Sequence, residues 1–216
     1  MEPELTLDQI MRTAPVIPVI VIDDLDHALP LASSLVKGGL KVLEITLRTP
    51  IALDAIKIIK AEVEGAILGA GTVLTPKQLE AVAALGCQFA VSPGFTPALL
   101  DAATASSPCP LLPGAATASE VMQLLERGYD RQKFFPAEAA GGTALLKSLA
   151  SPLPEAKFCP TGGIDLAKAE AYLALQNVLC VGGSWVVPKD AVLAGDWPRI
   201  EALAIEACRL RSNIRS

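Results

Sequence analysis

The sequence is poor in the residues that build metal and redox centres. It has one histidine, His27, in 216 residues. Most catalytic zinc sites draw on two or three histidines, so a histidine-rich metal centre is excluded. His27 falls at an expected helix start and reads as a surface residue. The five cysteines, Cys87, Cys109, Cys159, Cys180 and Cys208, are odd in number and form no C-x-x-C pair. That argues against a disulfide framework or a zinc site and for reduced thiols in the cytoplasm. No apolar run reaches the roughly 18 residues of a membrane span without a proline, glycine or charge, so no membrane partner is expected. The acidic opening Met1-Glu2-Pro3-Glu4 is not a secretory signal. Basic blocks are also lacking. The net charge is -5 and there are only two tryptophans, which gives no support for nucleic-acid binding. An anionic ligand would have to be captured by local donors, against the global charge.

What is present is a large apolar fraction, 51% of the chain, enough for the core of a single domain over 1–216. After a short opening helix over 6–14, apolar runs alternate with segments of helical period. The spacing predicts eight strands, over 16–22, 41–47, 66–72, 88–92, 110–113, 132–136, 157–161 and 178–182. Thr49-Pro50, Thr75-Pro76 and Thr96-Pro97 each place an N-cap threonine before an N1 proline, and Thr117-Ala118-Ser119-Glu120 is a capping box. Helices end at Gly39, Gly86 and Gly128, where glycine suits the left-handed C′ position. Strands joined through helices are parallel, and eight such units predict a (β/α)₈ TIM barrel with a short N-terminal helix. An open doubly wound sheet usually carries G-x-G-x-x-G after its first strand; here that strand ends in Ile22-Asp23-Asp24, without a glycine.

Two strands carry charges where apolar residues are expected. In 41–48, Leu43, Ile45 and Leu47 share one face, and Glu44, Thr46 and Arg48 the other. The outer face of a parallel barrel strand packs on helices, so the polar face points inward, toward the mouth where such folds assemble their sites. A structural Glu–Arg ion pair is the plainer reading of that face. Lys133 sits in the apolar run Gln132-Lys133-Phe134-Phe135-Pro136, sharing a face with Phe135. A lysine there is costly to desolvate, and the same cost favours a nucleophilic amine; a lysine snorkelling at a strand edge is the bland possibility. Facing inward, Lys133 reaches Glu44, a nucleophile beside a candidate general base. Glu138 is a second candidate acid or base, ranked lower because it lies past Pro136. Lys147, Lys157 and Lys189 read as solvated.

Strand three ends in Gly69-Ala70-Gly71-Thr72, whose small residues either admit a ligand to the backbone or relieve packing. Ser92-Pro93-Gly94 and Pro113-Gly114 are chiefly turns. The last two strands end in Thr161-Gly162-Gly163 and Gly182-Gly183-Ser184. Paired glycines at adjacent strand ends suit phosphate binding by backbone N–H groups. These features fit a lysine-dependent enzyme, a phosphate-binding isomerase or epimerase without a covalent lysine, or a silent phospho-ligand sensor.

Taken together, Leu43-Glu44-Ile45-Thr46-Leu47-Arg48, Gly69-Ala70-Gly71-Thr72, Lys133-Phe134-Phe135-Pro136-Ala137-Glu138, Cys159-Pro160-Thr161-Gly162-Gly163 and Gly182-Gly183-Ser184-Trp185 resemble the class I aldolases for 2-keto-3-deoxy-6-phosphogluconate (KDPG) and 4-hydroxy-2-oxoglutarate (KHG). The resemblance runs nearly the whole chain in family order. It implies a homotrimer of (β/α)₈ barrels that splits a phosphorylated keto acid of the Entner-Doudoroff pathway into pyruvate and glyceraldehyde 3-phosphate. It implies a Schiff base on Lys133, proton handling by Glu44, and no metal or other cofactor. Arg48 and Thr72 match the residues that hold the carboxylate of the pyruvate half, and Pro93 and Phe135 match pocket walls. Thr161 matches a position tied to stereochemical preference. Gly162, Gly163, Gly182, Gly183 and Ser184 match the phosphate region. Some wider-family members carry an arginine late in strand one, where this chain has Val21 and Ile22.

Overall fold

The computed structural model describes residues 5–104 and 109–210; the acidic opening 1–4 lies outside them. Helix α1 (Leu7–Thr13) starts on Thr6, whose hydroxyl caps Gln9 in a full capping box. Strand β1 (Val16–Ile20) follows, then a 3₁₀ turn (Leu25–His27), α2 (Ala28–Lys37), β2 (Val42–Thr46), α3 (Ala52–Glu62), β3 (Ile67–Gly71), α4 (Pro76–Ala84), β4 (Phe89–Val91) and α5 (Pro97–Thr104). The second half runs β5 (Leu111–Leu112), β6 (Gly114–Ala115), α6 (Ala118–Glu126), β7 (Arg131–Phe134), α7 (Gly142–Leu149), β8 (Lys157–Pro160), α8 (Leu166–Leu173), β9 (Val181–Gly183), α9 (Lys189–Ala194) and α10 (Trp197–Arg209).

All the strand pairings are parallel. One sheet has the order β5-β4-β3-β2-β1-β9 and a second the order β6-β7-β8. The expected fifth strand, 110–113, holds only the two residues of β5, and a further short strand, β6, starts at Gly114, which was expected in a turn. Pro113, between them, has no N–H to give to a ladder, although its carbonyl accepts from Lys133 N–H at 2.8 Å. The chain passes from one sheet to the other at this residue. Parallel bridges Phe158↔Val178 and Thr161↔Gly182 link β8 toward β9 at the other side, so the parallel sheet curls. The last strand also begins later than its apolar run suggested, at Val181, so Gly182 and Gly183 lie within it.

Alternation along the strands divides the core. Val16, Ile20, Leu43, Ile45, Leu68 and Ala70 join one large cluster with helix residues such as Leu31, Leu35, Ile56 and Leu79. Their strand neighbours Ile17, Val42, Phe89, Val91, Leu112 and Cys159 join a second, inner cluster, which Ile10 and Met11 of α1 complete. Asp8 of the same helix pairs with Arg131 at the start of β7, 2.5 Å apart. The apolar seal therefore sits at the N-terminal end of the strands, and the polar inward residues lie beyond it.

Helix starts at Thr75 and Thr117 are capping boxes, and Thr96 accepts from Leu99 N–H. Thr49 is the exception: α3 begins at Ala52 with Ile51 as its cap. The Thr49 hydroxyl instead donates to Ile22 O at 2.7 Å, a long-range bond that fixes the ends of β1 and β2 together. Gly39, Gly86 and Gly128 all take positive φ after their helices, as C′ residues do.

Candidate functional site

Lys133 lies on the inward face of β7, paired in register with Gly114 on one side and Cys159 on the other. Its neighbour Phe134 points the opposite way and packs edge-to-face on Phe158. Lys133 is 5% exposed and Glu44 of β2 is 2% exposed. Their Nζ and Oε1 are 3.3 Å apart, so two charges placed 89 positions apart in the chain meet inside the sheet. An ion pair this buried must offset the desolvation of both groups and is weak evidence for stability. The Phe135 ring is 5.5 Å from the Lys133 Nζ, a cation–π approach that forms one wall.

Glu44 keeps its place because Gly71 leaves room. A Cβ at Gly71 would lie 2.2 Å from Glu44 Oε1. A Cβ at Gly69 would lie 2.3 Å from the Phe89 ring. Of the two readings of these glycines, ligand approach and packing relief, the second matches what fills the space above them, neighbouring side chains. Just past Gly71, Thr72 has φ +59, a left-handed conformation unfavourable for a β-branched residue. Its hydroxyl lies 3.4 Å from Arg48 Nε, which donates to it. Arg48 is exposed and lies beyond the end of β2. The buried carboxylate therefore pairs with Lys133 while the guanidinium stands at the rim. Thr46, between them, donates to Ile20 O at 2.8 Å and is structural.

Pro93 sits against Gly114, where a Cβ would be 2.2 Å from the proline carbonyl oxygen; it thus neighbours the strand beside Lys133. Thr161 bridges to Gly182, whose missing Cβ leaves space for the Thr161 hydroxyl. Gly162 and Gly163 form a turn with φ +109 and +76. Gly182 and Gly183 do not form a matching turn; the space over Gly183 holds the Trp185 ring. Ser184 is exposed and lines a cavity of about 450 Å³ together with Val19, Val21, Asp23, His27 and Lys189. Val19 stands next to Glu44 in the β1–β2 register, although neither Glu44 nor Lys133 lines the cavity. Lys189, read from sequence as merely solvated, is therefore part of the cavity wall.

Glu138, the second candidate acid or base, is tied up elsewhere. Its Oε2 is 2.8 Å from Lys168 Nζ and its Oε1 accepts from Tyr172 OH at 2.5 Å. The Lys168 and Tyr172 hydrogen bonds hold the Glu138 carboxyl below its ordinary range, and the same pairing raises Lys168. Burial first, then Glu138, push the Tyr172 phenol up. Lys168 and Tyr172 were not singled out from sequence. Their signal was their i, i+4 spacing on the helix that follows the Gly162-Gly163 turn.

Among the described residues, no group of three His, Cys, Asp or Glu is arranged to hold a metal ion, and no helix is long and apolar enough to cross a membrane. The sequence matches the KDPG and KHG aldolase family over residues 7–203. It is 55% identical to the 2-dehydro-3-deoxy-phosphogluconate aldolase of Dickeya dadantii, over 93% of each chain. The structure is similar to that of the KDPG aldolase of Legionella pneumophila with pyruvate captured as a covalent carbinolamine intermediate. The TM-score is 0.92, with 48% identity and 94% and 98% of the two chains covered. The KDPG aldolase of Zymomonas mobilis ZM4 with 3-phosphoglycerate gives a TM-score of 0.89 at 54% identity, covering 94% and 95%. With a buried Lys–Glu pair inside a curled parallel sheet and these likenesses over nearly its full length, the chain belongs to the KDPG and KHG aldolase family.

Proposed function

We propose that the chain is a class I aldolase, a carbon–carbon lyase that cleaves 2-keto-3-deoxy-6-phosphogluconate to pyruvate and glyceraldehyde 3-phosphate and also accepts 4-hydroxy-2-oxoglutarate. The observation that carries this reading is the 3.3 Å approach of Lys133 Nζ to Glu44 Oε1 inside the sheet. It supports reading Lys133 as a nucleophile beside a proton acceptor, the arrangement that activates an amine for attack on a carbonyl. Relatives of like sequence named for the same reaction add to it.

The Lys133 proton passes to Glu44, and the free amine adds to the C2 ketone to form a carbinolamine. Glu44 returns that proton to the departing hydroxyl, and loss of water gives an iminium and a free carboxylate. Glu44, through a water, takes the C4 hydroxyl proton. The C3–C4 electron pair moves into the iminium, leaving an enamine of pyruvate on Lys133 and releasing the aldehyde. Glu44 returns a proton to C3, and water hydrolyses the resulting iminium to pyruvate and the amine. The iminium is the electron sink, so the cycle calls for no metal or other cofactor. Arg48, with Thr72 beside it, grips the carboxylate of the pyruvate half, a task suited to a planar guanidinium. Pro93 and Phe135 line the pocket and Thr161 orients the C4 substituent. The Gly162-Gly163 turn, Gly182, Gly183 and Ser184 receive the phosphate. The sheet closes as an eight-unit barrel, with β5 and β6 serving as one strand, in a homotrimer working in the cytoplasm.

Borohydride added with pyruvate should fix an adduct on Lys133, read by peptide mass mapping. An adduct on any other lysine, or none, would overturn the assignment.

A further inference from the structure

The bond-making steps leave Glu138, Lys168 and Tyr172 without a part, yet the three are linked to one another beside the turn after β8. Three consecutive carbonyls of that turn are anchored. Thr161 O accepts from Ala137 N–H at 2.8 Å and Gly162 O from Glu138 N–H at 3.1 Å. Gly163 O accepts from Lys168 Nζ at 3.0 Å. In a trans peptide the N–H points opposite to the C=O of the same unit. With the carbonyls turned toward the segment after β7 and toward α8, the N–H groups of Gly162, Gly163 and Ile164 are turned the other way. The Gly162 N–H faces Gly182 across the bridge between the two strands; among the described residues, neither the Gly163 nor the Ile164 N–H donates to another residue of the chain. Successive N–H groups presented by a positive-φ turn make an anion-binding concavity.

The first two anchors are backbone and belong to the strand extension. The third depends on a side chain. Lys168 is half exposed and would sample many rotamers if left alone. It is held by Glu138 Oε2 at 2.8 Å, and Glu138 is held in turn by the hydroxyl of Tyr172, a residue 1% exposed. The Glu138 stem also packs under the turn: a Cβ at Gly163 would lie 2.9 Å from Glu138 Cγ. Along the strand, the turn begins two residues, ~7 Å, beyond the level of Lys133, which pairs with Cys159.

We propose that Tyr172, Glu138 and Lys168 form a positioning chain that fixes the Gly163 carbonyl and so holds the Ile164 N–H toward the phosphate of the substrate. The chain selects for the phosphorylated end of the substrate and has no part in the reaction at C2. This rests on the aldolase reading above.

The test is steady-state pyruvate release from 2-keto-3-deoxy-6-phosphogluconate and from 4-hydroxy-2-oxoglutarate, with Lys168→Met, Glu138→Gln and Lys168→Arg. Losing a partly exposed charge-assisted hydrogen bond should raise KM for the phosphorylated substrate about five- to thirtyfold in Lys168→Met. Glu138→Gln should show a smaller rise, and Lys168→Arg should recover most of the loss. KM for 4-hydroxy-2-oxoglutarate, kcat for both substrates and borohydride trapping with pyruvate should stay within about twofold, since nothing at Lys133 changes. An equal rise for both substrates, a fall in kcat for both, or no change in either would overturn the positioning role. If Lys168→Met does not fold, Glu138→Gln, nearly identical in shape, decides by the same split. Failure of the aldolase reading would show in the unaltered chain, as absence of trapping at Lys133, and would remove the proposal with it.

Discussion

Replacing Gly71 by alanine tests the site without touching a reacting group. The added Cβ would lie 2.2 Å from Glu44 Oε1, 2.7 Å from its Cγ and 2.8 Å from its Cδ. Carbon and oxygen do not approach so closely, so the carboxylate must withdraw by about 1 Å or the strands must part; overpacking of this kind costs about 1–3 kcal/mol in stability. Strand β3 pairs with β2 over five registered positions, Thr46↔Gly71 among them, and Glu44 is the flexible partner, so the side chain should yield. Turning away breaks its 3.3 Å contact with Lys133. Misplacement of a catalytic group by about 1 Å costs on the order of 10²-fold in rate. Gly71→Ala should therefore lower kcat for KDPG cleavage by about 10²-fold while leaving a folded protein with a Tm several degrees lower. Pyruvate release and a thermal melt measure the two effects. Gly69→Ala is the control. Its Cβ meets the buried Phe89 ring, so it should cost stability through the core and spare kcat in whatever fraction stays folded. A Gly71→Ala enzyme at parental kcat would refute the claim that Glu44 must stand where it does.

Glu44→Gln should keep borohydride trapping of pyruvate but lose about 10²–10⁴-fold in turnover, the usual worth of a general acid–base; turnover at the parental rate would rule out proton transfer by Glu44. Thr72→Gly should relieve the left-handed strain at φ +59 and raise stability by up to about 1 kcal/mol, while raising KM through loss of the hydroxyl beside Arg48; an unchanged KM would detach Thr72 from binding. For pH, Glu138 is lowered from 4.5 chiefly by its hydrogen bond from Lys168. A depressed folded-state value contributes stability above the unfolded value and loses it as pH falls through the folded one. Melting temperature should therefore decline below about pH 4.5 less steeply in Glu138→Gln than in the parent. Equal slopes would show that the interaction adds nothing to the folded state.

Alternation made the central pair legible. At 42–46 a two-residue period placed Glu44 inward; at 132–136 it put Lys133 on one face with Phe135 and left open which way that face turns, and the two side chains meet. Cap chemistry was equally plain at Thr75 and Thr117, where the partner lies within four residues. What escaped depends on distant chain. Thr49 has the local look of a cap, yet Ile22 offers its hydroxyl a better acceptor across the strand ends. Pro113-Gly114 reads as the turn that ends a strand, and only the pairing of β6 with β7 shows that a second short strand starts at Gly114. Gly69 and Gly71 carry no mark of what fills the space above them, because that is set by Phe89 and Glu44 on neighbouring strands. Glu138 looked like a spare acid because its partners lie a strand and a helix further on.

The seal formed by Ile10 and Met11 of α1 against Ile17, Val42 and Leu112 dictates traffic. With that end plugged by hydrocarbon, everything the reaction consumes or releases must use the opposite opening. Water is needed to hydrolyse the last iminium, yet an aldehyde still in the pocket stands between the bulk solvent and Lys133. Departure of the first product then clears the way out for the second. An order of release would follow from plumbing alone, with no moving gate.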